Sequence, residues 1–158
     1  MHADGGKIAV FMDSANDGDI EEIRNVYTNG HTIAVKREYL EYRDKKSKST
    51  ALHLAALNGH SDIVEYLIKM IQQDFPDKQK LWINSRNLYD FTPLINVCFR
   101  GYLIKSDAKD KQEDRLAIVK MLVESGANIM HFTADTEMTC MHWAAYNKDA
   151  NVCKWLLK

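Results

Sequence analysis

The sequence is poor in the residues that break helices and in those that build disulfide or metal frameworks. Its 158 residues include only two prolines and seven glycines, fewer than a chain of many tight β-turns requires. The three cysteines, Cys98, Cys140 and Cys153, are an odd number, and none lies in the paired C-x-x-C spacing of zinc or redox sites. The composition therefore predicts a mainly helical protein of a reducing compartment such as the cytoplasm.

Long apolar runs and an excess of one charge are also missing. No stretch approaches the roughly 20 apolar residues that cross a bilayer, and the N-terminus lacks the pattern of a secretory signal. The 21 basic and 22 acidic residues give a net charge of -1, so no overall field favours nucleic acid or an anionic membrane. Because 46% of the residues are hydrophobic, one domain over residues 1–158 can bury a continuous core. We predict no nucleic-acid partner and no membrane contact.

What the sequence does contain is an internal repeat. Segments at 50–67, 92–102 and 139–157 each begin with a threonine, followed two places on by an apolar residue and then by a small pair. In two of them an apolar pattern follows at helical spacing, and the segment after 92–102 continues with the same pattern near 118–123. A weaker fourth copy, "VFMDSANDGDIEEIRNVY", starts near residue 10. Each unit is predicted to be a short helix, a turn such as that at Gly59, and a second helix.

The repeat also predicts where units begin and how they combine. Thr50, Thr92 and Thr139 are expected N-caps, and Pro93 stands at a first helical position, where no amide is missed. A unit this short cannot bury its apolar face alone, so the units must stack. The predicted units cover about 8–30, 44–71, 86–125 and 133–158, with additional residues near 31–49 and an insert at about 103–115.

The segment "TALHLAALNGHSDIVEYL" resembles an ankyrin repeat, whose signature is T-P-L-H-x-A-A, then G-H and an apolar pair. "TCMHWAA", and "TPLI" with "LVESGANI", support this independently, whereas the Trp, Leu-Gly and Tyr spacing of tetratricopeptide repeats is absent. The resemblance implies an all-α ankyrin-repeat solenoid of about four helix-turn-helix units, with finger loops or hairpins and two insertions. It also implies a protein-protein interaction module that binds a partner protein or extended peptide through the concave surface of the fingers and first helices.

Carried onto this chain, the resemblance places ten partner-binding candidates on that surface. The first-helix positions are Leu57, Asn58, Phe99, Arg100, Tyr146 and Asn147, and the finger positions are Tyr42, Arg43, Tyr89 and Phe91. Asp135 and Glu137 occupy the finger before the last unit. Aromatic residues and arginine are typical anchors of interfaces. The alternative is that these side chains pack against the fingers of their own stack. The structural motif is Thr50, His53, Gly59, Thr92, Pro93, Thr139 and His142.

Catalytic chemistry has little support in the sequence. His53 recurs as His142, the position whose ring, in ankyrin repeats, hydrogen-bonds the backbone between fingers, and Ile95 is expected to interrupt that network in the third unit. No HExxH or HxH spacing is present. We predict that the chain is not an enzyme and has no catalytic residues, metal or cofactor. The alternative is a zinc or thiol enzyme that uses His60 and Cys140, the latter with a pKa lowered by a helix N-terminus.

The last unit stops inside its second helix without a polar capping repeat, which predicts a piece of a longer protein. In that case the alternative function is that of a regulatory or substrate-recruiting domain of a larger enzyme, such as an S-acyltransferase, or of a channel. The domain would then lie at the cytosolic face if its parent is membrane-bound.

Overall fold

Helices account for the regular structure of the part of the chain that is described. The structure, a computed structural model, describes residues 4–30, 32–103 and 109–158. Of residues 100–103 and 109–112 it describes the backbone alone. The helices are α1 (Gly5–Asp17), α2 (Ile20–Thr28), α3 (Ile33–Glu41), α4 (Ala51–Asn58), α5 (Ser61–Asp74), α6 (Gln79–Ile83), α7 (Pro93–Leu103), α8 (Lys109–Glu124), α9 (Cys140–Tyr146) and α10 (Ala150–Leu156).

Eight of these helices form four antiparallel pairs, arranged in two layers. The first helices α1, α4, α7 and α9 pack side by side in that order, and the second helices α2, α5, α8 and α10 form the layer behind them. Small residues such as Ala15, Ala55, Ala56 and Ala144 are buried in the first layer, where they allow neighbouring helices to approach closely. The expected fold class, an all-α stack of about four helical pairs, is confirmed.

Threonine caps start the first helices of the last three pairs. The hydroxyl of Thr50 accepts a hydrogen bond from the His53 amide, and the His53 ring accepts one from the Thr50 amide at 3.2 Å. Thr139 and His142 form the same reciprocal box at the start of α9. In the third pair the hydroxyl of Thr92 accepts from the Ile95 amide at 3.3 Å, and isoleucine cannot return the bond.

Glycine ends the first two first-layer helices in the left-handed region. Gly18 closes α1 at φ +93°, and Gly59 closes α4 at φ +74°. A Cβ atom on Gly18 would lie 2.7 Å from the ring of His60, whose Nε2 hydrogen-bonds the Asn16 carbonyl at 2.9 Å. A Cβ atom on Gly59 would meet nothing within 4 Å. His60 is therefore a contact between the first two pairs and not a free side chain at a turn.

The two glycines allow a matched test of this contact. We expect Gly59→Ala to lower the free energy of unfolding by about 1 kcal/mol, the ordinary cost of a left-handed alanine. Gly18→Ala should cost about 2 kcal/mol, because the His60 ring must also move and give up its hydrogen bond. Urea denaturation of both variants, alone and with His60→Ala, measures the difference. If the two alanines cost the same in the presence of His60, the contact does not constrain the turn.

The additional residues near 31–49 contain a helix that the sequence analysis did not predict; His31 lies outside the described residues. Helix α3 buries Tyr39 and Leu40, and the Tyr39 ring stacks on Phe11 of the first pair with centroids 5.2 Å apart. Asp74 at the end of α5 accepts hydrogen bonds from the Tyr27 hydroxyl at 2.8 Å and the Lys36 ammonium at 3.3 Å. Burial raises the pKa of the Tyr27 hydroxyl, and the hydrogen bond to Asp74 raises it further. This network joins α2, α3 and α5.

A second insertion ties the second pair to the third. Helix α5 is long and is followed by a proline turn, Pro76–Lys78, and by the short helix α6, which the sequence analysis did not predict. Its residues Trp82 and Ile83 are buried. The side chains of Gln79 and Asn84 donate to the carbonyls of Ser125 and Gly126, both at 2.9 Å, and so satisfy the end of α8.

The insert at about 103–115 lies partly beyond the described residues, since 104–108 are outside them. Its second half extends the second helix of the third pair, because α8 begins at Lys109. From this extension Arg115 reaches Asp149, the N-cap of α10, at 3.2 Å between Nε and Oδ2. Both side chains are largely buried, at 13% and 7% exposure, so the pair joins the third and fourth units away from water.

Candidate partner-binding groove

Three loops, here called fingers, precede α4, α7 and α9: the first finger spans 42–49, the second 84–92 and the third 127–139. The first is folded around Asp44, whose carboxylate accepts from the amides of Lys46, Ser47 and Ser49 at 2.7, 2.7 and 2.9 Å. Burial alone would raise the pKa of Asp44, but these bonds and the Ser47 hydroxyl hold it below its usual range. The first finger, which carries Lys45, Lys46 and Lys48, is therefore held in one conformation by the Asp44 carboxylate.

The other two fingers are also closed by their own hydrogen bonds. In the second finger the side-chain oxygen of Asn87 accepts from the amides of Tyr89 and Phe91 at 3.0 and 3.1 Å. In the third finger Phe132 and Thr139 form an antiparallel bridge. The buried Thr133 donates its amide to Met138 at 3.2 Å. Each finger is thus a tight, internally bonded turn.

Neighbouring fingers are bonded to each other as well. The Arg43 guanidinium donates to the Arg86 carbonyl at 2.7 Å and to the Lys48 carbonyl at 3.1 Å, which joins the first finger to the second. The ring of His131 bonds the Asp90 carbonyl at 2.9 Å, and the Ala134 amide donates to the Asp90 carboxylate at 3.2 Å. These bonds fix the spacing of the three fingers.

His53, in helix α4, connects the second finger to the first helices. Its ring is fully buried, and Nε2 lies 3.0 Å from the Phe91 carbonyl while Nδ1 faces the Thr50 amide. The neutral ring with its proton on Nε2 satisfies both contacts. Burial lowers the pKa of His53 to about 4, which the bond to Phe91 only partly offsets. His53 is therefore an uncharged support of the second finger.

An aromatic pocket lies between the second and third fingers and the first helices behind them. Its volume is about 330 Å³, and its lining is Tyr89, Phe91, Phe99, Thr133, Asp135, Thr136 and Trp143. The rings contact one another in sequence: Phe91 and Phe99 have centroids 5.0 Å apart, and Phe99 meets Trp143 edge-on at 4.7 Å. We call the surface of these residues and Tyr146 the groove.

Several predicted partner-binding residues lie together in this groove. Tyr89, Phe91 and Phe99 line the pocket, and the exposed Tyr146 meets the Trp143 ring edge-on at 6.0 Å. Phe91 and Phe99 also pack on their own stack, as the alternative interpretation expected, and their contact with a partner stays a prediction. Tyr42 and Leu57 lie farther along the stack and are half-buried.

Other predicted residues serve the stack. The Asn58 amide donates to the Asn16 side chain at 3.0 Å, and that of Asn147 donates to the Cys98 carbonyl at 2.7 Å. The Arg43 guanidinium joins two fingers, as described above. We therefore assign these three side chains to the scaffold. The side chain of Arg100 lies outside those described.

Sequence reasoning missed part of the pocket. Trp143 was not selected, although it stands at the place occupied by Leu54 and Asn96 in the preceding units, and its size was the available signal. Thr133 and Thr136 have no such signal, because a finger's path is not encoded in helical spacing. Three exposed apolar residues of the finger tips, Leu88, Met130 and Phe132, were also passed over.

The thiol-enzyme alternative does not assemble. His60 contacts the first pair, whereas Cys140 is buried and directs its thiol to the Ile129 carbonyl at 3.6 Å. The pKa of Cys140 is lowered mainly by a hydrogen bond from Cys98, against the effect of burial, and that bond together with burial raises the pKa of Cys98. Among the described residues no group of His, Cys, Asp and Glu could hold a metal ion.

The geometry is that of a helical repeat protein with ordered fingers and an aromatic groove. In the part of the chain that the structure describes, no helix is long and apolar enough to cross a membrane. Comparison with known proteins gives the family. A model of ankyrin repeats in three copies matches residues 11–127, and a model of ankyrin repeats in many copies matches residues 108–157. The chain belongs to the ankyrin repeat family, as its sequence motifs indicated.

Two curated relatives and one solved structure are similar to it. The putative E3 ubiquitin-protein ligase XBAT31 of Arabidopsis thaliana is 30% identical over 144 residues, which is 91% of this chain and 25% of that protein. The ankyrin repeat-containing protein YAR1 of Saccharomyces cerevisiae is 28% identical over 74 residues, which is 46% of this chain and 36% of that protein. The chain thus spans about a quarter to a third of these relatives.

The solved structure is that of the yeast ribosomal protein Rps3 in complex with its chaperone Yar1. It superposes with a TM-score of 0.80 at 21% identity, over 98% of this chain and 93% of that chain. At this identity the likeness establishes the fold. Both the family and the fold are those of a non-catalytic scaffold for protein-protein interaction.

Proposed function

We propose that this chain recognises a protein partner, and that an extended peptide or a protein surface lies along the groove. The observation that carries the proposal is the aromatic pocket between the second and third fingers, beside which Tyr89 and Tyr146 remain 60% and 61% exposed. Aromatic side chains of this kind are typical anchors of protein interfaces. Yar1, to which the chain is similar in fold, is described as the chaperone of a protein.

The fingers support the same proposal through their order. Because each finger is closed by its own hydrogen bonds and joined to the next, little conformational entropy remains to be lost when a partner binds. We further propose that this chain itself carries no reaction. The three free cysteines fit a reducing compartment, and we place its work in the cytoplasm.

A capture experiment with matched surface variants tests the groove. Tyr89→Ser and Tyr146→Ser should each reduce capture of the partner about tenfold or more, as expected for the loss of an aromatic anchor. Leu81→Ser is the control, because Leu81 is 65% exposed on α6 and is not among the residues that line the groove. Quantitative mass spectrometry of crosslinked captures from lysate measures the ratios. Loss of a partner with Leu81→Ser alone would place binding elsewhere and overturn the assignment.

A second proposal concerns the parent protein. The chain matches a quarter of a protein named as a putative E3 ubiquitin ligase, which favours a recruiting domain within a larger enzyme. This keeps the same groove and makes its partner the substrate or regulator of that enzyme. An S-acyltransferase or channel parent would use the groove in the same way. The full-length transcript decides the matter: a further Cys/His zinc segment supports a ligase, and an open reading frame that adds no other domain on either side of residues 1–158 rejects every such parent.

A further inference from the structure

The pocket of the groove contains one charged side chain among aromatic walls. Of its lining residues Asp135 alone carries a charge at neutral pH, and it lines the pocket together with the rings of Tyr89, Phe91, Phe99 and Trp143. Asp135 is exposed and forms no hydrogen bond or ion pair with any residue in the described part of the chain. A carboxylate is thus held at an apolar pocket without a partner from the stack itself.

The surroundings of Asp135 add negative charge. The third finger carries one further acidic residue, Glu137, and no lysine or arginine between residues 127 and 139. On the second finger the Arg86 guanidinium is engaged by Asp90 at 3.0 Å, and His131 contacts the same carboxylate at 3.7 Å. The third finger therefore presents a net negative edge to whatever enters the pocket.

We infer that the pocket receives a lysine or arginine side chain of the partner, an inference that rests on the proposed function of the groove. The methylene groups of such a side chain would pack on the aromatic walls, and its cation would meet the rings and the Asp135 carboxylate. A volume of about 330 Å³ leaves room for one long side chain of the partner.

Other occupants fit less well. A purely apolar side chain would fill the pocket but would take water from the Asp135 carboxylate without offering it a partner. An acidic or phosphorylated side chain would be repelled by Asp135 and Glu137. The geometry thus assigns the groove a partner segment with a basic anchor.

The first arm of the test identifies ligands without knowing the natural partner. A random peptide library displayed on phage is selected against the purified 158-residue chain. Each selected peptide is then tested for loss of binding to the variants Tyr89→Ser and Tyr146→Ser. Peptides that depend on the groove should carry a lysine or arginine at one fixed position. The library also shows which of the two cations is preferred.

The second arm measures the contribution of charge with shape held nearly constant. Replacement of the basic residue by norleucine and the substitution Asp135→Asn should each weaken binding about tenfold, and the two together should cost little more than either alone. Glu137→Gln is the matched control on the same finger outside the pocket lining, and should change affinity less than twofold. Fluorescence anisotropy of labelled peptides measures these constants, with thermal melts to verify folding.

The outcomes separate the two proposals. If groove-dependent peptides show no basic position, or bind equally well with norleucine, the cation inference fails and the proposed function stands. If the selected peptides bind but none is affected by Tyr89→Ser or Tyr146→Ser, the groove itself is not the binding surface, and both proposals fail. Equal losses for Asp135→Asn and Glu137→Gln would show general electrostatic attraction and would also overturn the pocket assignment.

Discussion

Acidification from pH 6.5 to 4 is expected to remove about 3 kcal/mol of stability through His53 alone. In the unfolded chain its pKa is near the ordinary value of 6.5, and in the folded stack it is about 4. Below pH 6.5 the unfolded state therefore binds the proton first, and unfolding becomes more favourable as the pH falls. The contribution of the neutral ring is complete above pH 6.5 and lost progressively down to pH 4.

The physical reason is the position of both ring nitrogens. A second proton would go to Nδ1, which faces the amide of Thr50 as an acceptor at 3.2 Å, within a site closed to water. Protonation would replace the bond from the Thr50 amide by a repulsive N–H contact, would leave the Thr50 hydroxyl at 2.8 Å as the remaining acceptor for Nδ1, and would bury a charge between two units.

Urea denaturation at pH values between 7 and 4 measures the effect. Other groups contribute to acid sensitivity, Asp44 among them, so the decisive quantity is the difference between the natural chain and His53→Gln. The variant should be less stable at pH 7 and should lose less stability on acidification. His142→Gln is the matched control, because His142 forms the same capping box with an exposed ring. An unchanged pH dependence in His53→Gln would contradict the assignment.

Asp149→Ala is expected to be the most damaging polar substitution, at about 3–5 kcal/mol. The change leaves the largely buried Arg115 guanidinium without its carboxylate and also removes the acceptor that caps α10 through the Val152 amide at 3.2 Å. Because α9 and α10 are seven residues each, the last pair depends on this contact more than the longer pairs do.

Two variants separate the cap from the ion pair. Asp149→Ser keeps a capping oxygen and breaks the ion pair. Its free energy of unfolding should therefore fall by most of the amount expected for Asp149→Ala. Asp19→Ala removes the equivalent cap of α2, where Asp19 accepts from the Glu22 amide at 3.0 Å and has no ion pair among the described residues. It should cost about 1 kcal/mol. Chemical denaturation and hydrogen exchange of α9 and α10 measure these effects. A small loss in Asp149→Ser, similar to that of Asp19→Ala, would reject the ion-pair explanation.

The repeated part of the fold was predictable because the same physical problem recurs in every unit. Thr50, Thr92 and Thr139 each cap a helix, and comparing the units reveals them without knowledge of the structure. Helices α3 and α6 have no internal copy, and their buried residues, such as Tyr39 and Trp82, acquire meaning only from the elements against which they pack.

The groove was predictable to a similar extent. Comparison of the units placed Phe99 and Tyr146 on the exposed face of the first helices, and Phe99 lines the pocket. The same comparison could not show that Asn58 and Asn147 are used by neighbouring units, because a hydrogen bond between units leaves no trace in spacing. Nor could it bring Asp135 to the pocket, since the path of the third finger depends on tertiary contacts.

The bonds between units have a mechanical consequence. On one side the fingers are fastened by Arg43 and His131, and on the other the helical layer is fastened by Gln79 and Arg115. A stack with hydrogen bonds and ion pairs between units on both sides resists bending, since bending in either direction must stretch one of the two sets of contacts. The distance from one finger to the next is therefore fixed by the fold before a partner binds. We therefore expect partners to be distinguished by the spacing of their anchors as well as by their chemistry.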